Sequence, residues 1–203
     1  MTAPPDFAAI VLAGGRSTRL GRDKASEMLL DRPLLQHVLD RLDGIVGEIV
    51  VVRAPGQSLP EVRAAVPVRD AEDDYPGCGP LGGIATGLAR IEAGRALAVA
   101  CDMPLLSVPL LAELLRRSAG CDVVMPVLQY PEPLHAVYGP ACLGPMRARL
   151  EAGQYKITSF LGAVHVCYMH EDECRALDRG LHSFLNTNTE ADLDLARELL
   201  RQM

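Results

Sequence analysis

Apolar residues fall into six short runs, Phe7–Leu12, Glu48–Val52, Ala96–Cys101, Cys121–Val127, Leu134–Tyr138 and Ala163–Met169. Most lack the polar/apolar alternation of a one-sided sheet, so they predict strands covered on both faces. Longer segments with helical spacing lie between them, at Leu34–Leu42, Gly82–Ile91, Val108–Arg117, Ala141–Leu150 and Ala191–Leu200. In the third, Leu110, Leu111, Leu114 and Leu115 make one apolar face, and Ser107 stands where an N-cap belongs. Thr189-Glu190-Ala191-Asp192 offers the last helix a capped start. Strand and helix candidates alternate along the chain, the pattern of an α/β fold. The expectation is a Rossmann-like three-layer α/β/α architecture with a mostly parallel sheet, in a single domain spanning residues 1–203.

Five segments break the alternation: Ala13–Lys24, Asp70–Pro80, Gln129–Pro133, Gln154–Thr158 and Asn186–Asn188. Most follow a predicted strand, and in an open parallel sheet ligands bind in the crevice beyond the carboxyl ends of the strands. Chemistry is therefore to be sought in these loops.

Composition narrows the partners. Twenty Lys and Arg against 26 Asp and Glu give a net charge of −6, and three Phe, five Tyr and no Trp leave little to stack on bases. General nucleic-acid binding is disfavoured. No basic leader opens the chain, and no apolar stretch approaches the roughly 18–20 residues a membrane span needs, so neither a signal peptide nor a membrane partner is expected and the location reads as cytoplasmic. Six widely spaced cysteines without a CxxC predict reduced thiols and no structural zinc.

The first predicted strand runs into Gly14-Gly15-Arg16-Ser17-Thr18-Arg19-Leu20-Gly21-Arg22-Asp23-Lys24, with three glycines and four cations in eleven residues. Glycines let backbone N–H groups approach a polyphosphate, and Arg16, Arg19 and Lys24 offset its charge. The spacing is neither GxGxxG nor GxxxxGK[ST], and from composition alone a solvated Gly-rich turn with incidental Arg stays open. Asp102 ends the apolar run Ala96–Cys101 just before Pro104. A lone carboxylate there suits Mg²⁺, which takes one or two protein carboxylates plus substrate phosphates, although a helix cap or turn is the competing reading.

The string LAGGRSTRLGRDKA resembles the signature of the molybdenum cofactor guanylyltransferases, the MobA family of the nucleotide-diphospho-sugar-transferase-like superfamily, with Leu20 in place of the usual Met. Further matches follow in order: Gly79-Pro80-Leu81-Gly82-Gly83-Ile84, Cys101-Asp102-Met103-Pro104, Pro133-Leu134-His135-Ala136 and Phe184-Leu185-Asn186-Thr187-Asn188-Thr189. The resemblance covers nearly the whole chain. It implies a nucleotidyltransferase that joins GMP from GTP to the phosphate of molybdopterin and releases pyrophosphate. Molybdoenzymes or cofactor chaperones would be the onward partners.

Residue by residue, the resemblance implies GTP contacts at Leu12, Ala13, Gly14, Gly15, Lys24, Asp70 and Asp102, with Asp102 as the Mg²⁺ ligand. Lys24 and Arg19 would stabilise developing charge beside Asp102. Asp70, after the short apolar run Val66–Val68, could accept from guanine N1–H and N2–H or be a solvated acid. Lys24 is one of only two lysines beside eighteen arginines, which suggests a need for a compact point charge that a planar guanidinium would not meet. The resemblance places Lys156, Asn186 and Asn188 near the pterin phosphate, the two asparagines on one face at the end of a short C-terminal strand. His135 stands where the family pattern also has His, and either orients substrate or, the favoured reading, satisfies a buried hydrogen bond. Arg53 departs from the Asn often found there, and Cys78-Gly79 lengthens the segment before Pro80. The alternatives are a cytidylyltransferase acting on the same pterin, another nucleotidyltransferase of the superfamily, or a non-catalytic carrier domain. Gly14-Gly15 and Gly79-Pro80-Leu81 favour guanine, and retention of both Lys24 and Asp102 disfavours the carrier.

Overall fold

The computed structural model describes residues 7–14 and 23–202. β1 (Phe7–Leu12) is followed by a hairpin of β2 (Met28–Leu29) and β3 (Arg32–Pro33), then α1 (Leu34–Leu42), β4 (Glu48–Arg53) and β5 (Val68–Glu72). Next come α2 (Gly79–Leu88), β6 (Arg95–Ala100), α3 (Val108–Arg117), β7 (Val123–Val127), β8 (His135–Tyr138) and α4 (Leu143–Glu151). β9 (Val166–His170), α5 (Glu171–Leu177) and α6 (Glu190–Gln202) complete the order. Seven strands form one sheet, β5-β4-β1-β6-β8-β7-β9. Every neighbouring pair is parallel except those made by β8, which is antiparallel to β6 and β7.

The unbroken apolar runs follow from helices on both faces. Along β1, Ala9 and Val11 pack into the core beneath α1 and α3, whereas Ala8, Ile10 and Leu12 face the core beneath α2 and α4. α1 buries Leu35, Val38, Leu39 and Leu42, and α3 buries the four leucines of its predicted face. Each wholly buried leucine contributes about 1.5–3 kcal/mol relative to exposure. α2 can lie close on β1 because Gly87 has no side chain; a Cβ there would meet Ile10 Cγ2 at 2.5 Å. α6 closes a smaller core, setting Leu193 and Ala196 against Leu29, Leu34 and Leu105. Among the described residues, no helix is long and apolar enough to cross a membrane.

Three expectations need correction. Asp70 lies within β5 rather than in a loop after Val66–Val68, because β5 is an edge strand whose Arg69, Asp70 and Glu72 face solvent. The segment 185–188 is irregular, not a strand. It is tied down by Thr187, whose backbone N–H and hydroxyl both donate to the Asp102 carbonyl, at 2.9 and 3.1 Å. The thiols are not all reduced: Cys121 and Cys167 form a disulfide with Cα atoms 5.9 Å apart. The parallel pairing of β7 with β9 brings the two together across 46 residues. Cys78, Cys101, Cys142 and Cys174 are free.

Two features position a site. Leu12 pairs with Val52 on one side and Ala100 on the other, so the carboxyl ends of β1, β4 and β6 finish level. The chain goes from β1 outward to β4 and β5, then returns to place β6 on β1's other side. The crevice between β1 and β6 is thus a topological switch point.

Candidate active site

A cavity of about 540 Å³ opens over these level strand ends. Leu12 of β1 with Ala13 and Gly14 just after it, Arg53 of β4, and Cys101 and Asp102 just after β6 line it. Gly14 must lack a side chain, since a Cβ would stand 2.9 Å from the Ala54 nitrogen. The amides of Ala13 and Gly14 donate to the Val52 carbonyl, at 2.8 and 3.1 Å, and so continue the sheet. These residues therefore give the cavity its surface and space, not free N–H donors. Gly15 and Arg19 lie outside the described residues.

Lys24 enters on a single 3₁₀ turn, Lys24–Ser26, capped by the Asp23 side chain. Gln57 anchors that turn, donating to Asp23 Oδ1 at 2.7 Å and to the Ala13 carbonyl at 3.1 Å. Lys24 Nζ then reaches Asp102 Oδ2 at 2.6 Å and Asn188 Oδ1 at 2.5 Å. Three segments far apart in sequence meet at one ammonium, and Thr187's grip on the Asp102 carbonyl fixes the third. Asn186 lines the same wall.

Asp102 is 7% exposed, and its Oδ1 is buried without a hydrogen-bond partner among the described residues. A buried polar oxygen left unpaired costs about 1–3 kcal/mol. A ligand would complete it, and a hard anionic oxygen beside a phosphate-sized cavity fits a divalent cation such as Mg²⁺. Cys101 next to it is no candidate nucleophile, because burial first, and the Asp102 charge second, push its thiol far above the usual range.

The other expected site residues stand elsewhere. Asp70 lines a neighbouring depression on the far side of Arg53, not this cavity. It accepts from Arg53 Nε at 2.8 Å, and that guanidinium holds its carboxyl below the usual range. Arg53 Nη1 donates to Glu72 at 3.0 Å, so the arginine is forked between two acids of β5. Lys156 is exposed on the loop after α4 and does not line the cavity. His135 is fully buried, its Nε2 3.1 Å from Ser183 Oγ and its ring against Phe184 with centroids 4.5 Å apart. Burial alone holds its pKa down to about 3, so it is a neutral core group. Asp73, one of several acids in its loop, was not singled out by the sequence, yet it lines the cavity.

Away from the cavity, ligand atoms of Cys121, His165 and Cys167 lie within 4.8 Å of one another. Two of those atoms are the bonded sulfurs.

Residues 9–167 match the family described as MobA-like NTP transferase domain. The chain is 33% identical over 189 residues to a probable molybdenum cofactor guanylyltransferase of Pelotomaculum thermopropionicum, covering 93% of this chain and 90% of that one. It is also similar to the crystal structure of molybdopterin-guanine dinucleotide biosynthesis protein A from Archaeoglobus fulgidus, with a TM-score of 0.77, 28% identity and coverage of 97% and 100%. The fold is shared with 2-C-methyl-D-erythritol 4-phosphate cytidylyltransferase from Thermus thermophilus, with a TM-score of 0.72, 18% identity and coverage of 95% and 98%.

Proposed function

The chain belongs to the MobA-like NTP transferase family, and from that membership and the cavity's geometry we propose that it transfers GMP from GTP to the phosphate of molybdopterin. An oxygen of the pterin phosphate attacks the α-phosphorus of GTP in line. The bond from that phosphorus to the bridging oxygen breaks, and pyrophosphate leaves with the electron pair. No bond to the protein forms, so the chain's work is to position the phosphates and offset their charge.

The observation that carries this reading is the meeting of Lys24, Asp102 and Asn188 at the switch point. Two of the three Lys24 N–H donors are taken by protein oxygens, leaving one for a phosphate oxygen. Its compact ammonium fits between two acceptors 2.5–2.6 Å away, where a planar guanidinium would need more room. Asn186 and Asn188 line the wall on which the acceptor phosphate would rest. Asp102 would hold Mg²⁺ through Oδ1, and the ion supplies neutralisation of phosphate charge. GTP as substrate implies a cytoplasmic location.

The test measures pyrophosphate release from GTP and from CTP with molybdopterin as acceptor and Mg²⁺ present. GTP should be preferred. Asp102→Ala should lower kcat by about 10²–10³-fold. Preference for CTP would transfer the activity to the cytidylyl reaction, and undiminished turnover by the variant would remove Asp102 from its role.

A further inference from the structure

The amino ends of β7 and β9 carry a group of side chains that the cavity does not use. Cys121 stands just ahead of β7, His165 directly precedes β9, and Cys167 lies within β9. One ligand atom from each lies within 4.8 Å of the other two. The two sulfurs are bonded to each other, but the backbone around them does not rest on that bond. The His165 carbonyl accepts from the amides of Asp122 and Val123, at 2.9 and 3.1 Å, and the His165 amide donates to Asp122 Oδ2 at 2.8 Å. Parallel pairing continues from there, with Val123 opposite Val166 and Val124 opposite Cys167. Opening the bond therefore leaves two thiols and an imidazole held together by the sheet.

Those three groups make a ligand set. Two sulfurs bound to one tetrahedral ion stand ~3.8 Å apart, a separation that Cα atoms 5.9 Å apart allow. His165 Nδ1 lies 3.2 Å from the Gly120 carbonyl. A carbonyl can only accept, so Nδ1 carries the proton and the lone pair sits on Nε2, the arrangement by which metal-bound histidines are oriented. Cys121 is buried, Cys167 half-buried and His165 exposed, which leaves the group open to an ion from solvent. Thiolate and imidazole select a borderline-soft ion such as Zn²⁺, whereas the oxygen of Asp102 suits Mg²⁺. No CxxC marks the set, because the pairing of β7 with β9 assembles it.

We propose that reduction of the Cys121–Cys167 bond converts this corner into a binding site for Zn²⁺, with Cys121, His165 and Cys167 as protein ligands and water in the fourth position. A dithiol reductant supplies the two electrons. Its first thiolate attacks one sulfur, its second resolves the mixed disulfide, and the chain gains two thiols as the reductant closes to a disulfide. Zn²⁺ then takes both sulfurs as thiolates, and their two protons leave to solvent. Oxidation withdraws two of the three protein ligands, so the site exists in one redox state only.

The experiment uses the whole chain, stripped of metal, in its disulfide form and in a form reduced with dithiothreitol and freed of reductant without air. Zn²⁺ alone is the probe, in competition with a chromophoric chelator. The reduced chain should take up one Zn²⁺ and the disulfide form none at the same concentration. Bound Zn²⁺ should protect Cys121 and Cys167 from alkylation, as read by peptide mapping, and Co²⁺ in its place should give tetrahedral absorption with thiolate charge-transfer bands. His165→Ala alters an exposed side chain and keeps the fold, and it should weaken Zn²⁺ binding by at least ~10-fold. Cys78→Ser, which removes a free thiol elsewhere, should leave the affinity unchanged. No uptake by the reduced chain, equal uptake by both forms, protection of other cysteines, or an affinity unmoved by His165→Ala overturns the assignment. None of these outcomes bears on the reaction at the cavity.

Discussion

Two buried carboxylates stand at opposite ends of the sheet and are treated in opposite ways. Glu48, at the entry to β4, is 9% exposed, and both its oxygens are employed. Oε1 accepts from the amides of Glu92 and Ala93, at 2.6 and 2.7 Å, and Oε2 pairs with Arg69. Asp102, beyond the exit of β6, is similarly buried but keeps one oxygen without a partner. Burial alone therefore does not separate a structural carboxylate from a functional one; complete satisfaction does. At the amino ends of the strands the chain closes its polar accounts, and at the carboxyl ends it leaves an acceptor open for something that is not protein.

The sharpest test exchanges the two. Asp102→Ala should remove turnover by the factor given above while leaving the melting temperature within a few degrees of the parent, because the lost ion pair is offset by removal of an orphaned oxygen and Lys24 keeps Asn188. Glu48→Ala should do the reverse. It strands the two amides, while Arg69 keeps Glu92 and the Arg90 carbonyl, and should cost about 1–3 kcal/mol by urea unfolding, with kcat per folded molecule unchanged. A Glu48 variant of full stability, or one that folds but no longer turns over, would erase the distinction.

A smaller effect comes from His135, which lies on the Asp102 side, paired with Val99 near the exit of β6. It packs on Ser183 and Phe184, the stretch leading into Asn186–Asn188. Burial holds its folded pKa down to about 3 against 6.5 for the free group. The unfolded chain thus binds the proton more readily, so the stability His135 confers is complete above pH 6.5 and is lost as pH falls from there towards 3. The loss approaches ~1.4 kcal/mol per pH unit. Unfolding midpoints between pH 7 and 5 should fall more steeply in the parent than in His135→Leu. Parallel slopes would mean that the imidazole is not protonated on unfolding.

How far this was legible in the sequence depended on whether the signal was local. β1, α1 and α3 were readable to the residue because their apolar positions are set by what covers them. α5 was missed because Glu171, Asp172 and Glu173 open it and only Cys174 is buried. The reversed direction of β8 leaves no mark in His135–Tyr138 itself, since a strand covered on both faces is apolar in either direction. In the site, Lys24 and Asp102 were legible as motif members. The asparagine that shares the ammonium lies 164 residues from it, a meeting that only the fold supplies. Asp73 was hidden among Asp70, Glu72 and Asp74, four acids that composition cannot rank, and only the fold shows which of them lines the cavity.

The smallest effect sharpens the comparison from the closed side. The Cys121–Cys167 bond leads into β7 from the amino end, away from the strand ends that line the cavity. Titration in denaturant without reductant should find four thiols, as the free cysteines require, and six after reduction. Reduction withdraws a cross-link that closes 46 residues, so it should lower the melting temperature. It should leave kcat/KM for GTP within about twofold, because Lys24, Asp102 and Asn188 are held by contacts that do not pass through β9. If reduction changed turnover more than it changed stability, the two ends of the sheet would be coupled, and the separation drawn from Glu48 and Asp102 would fail.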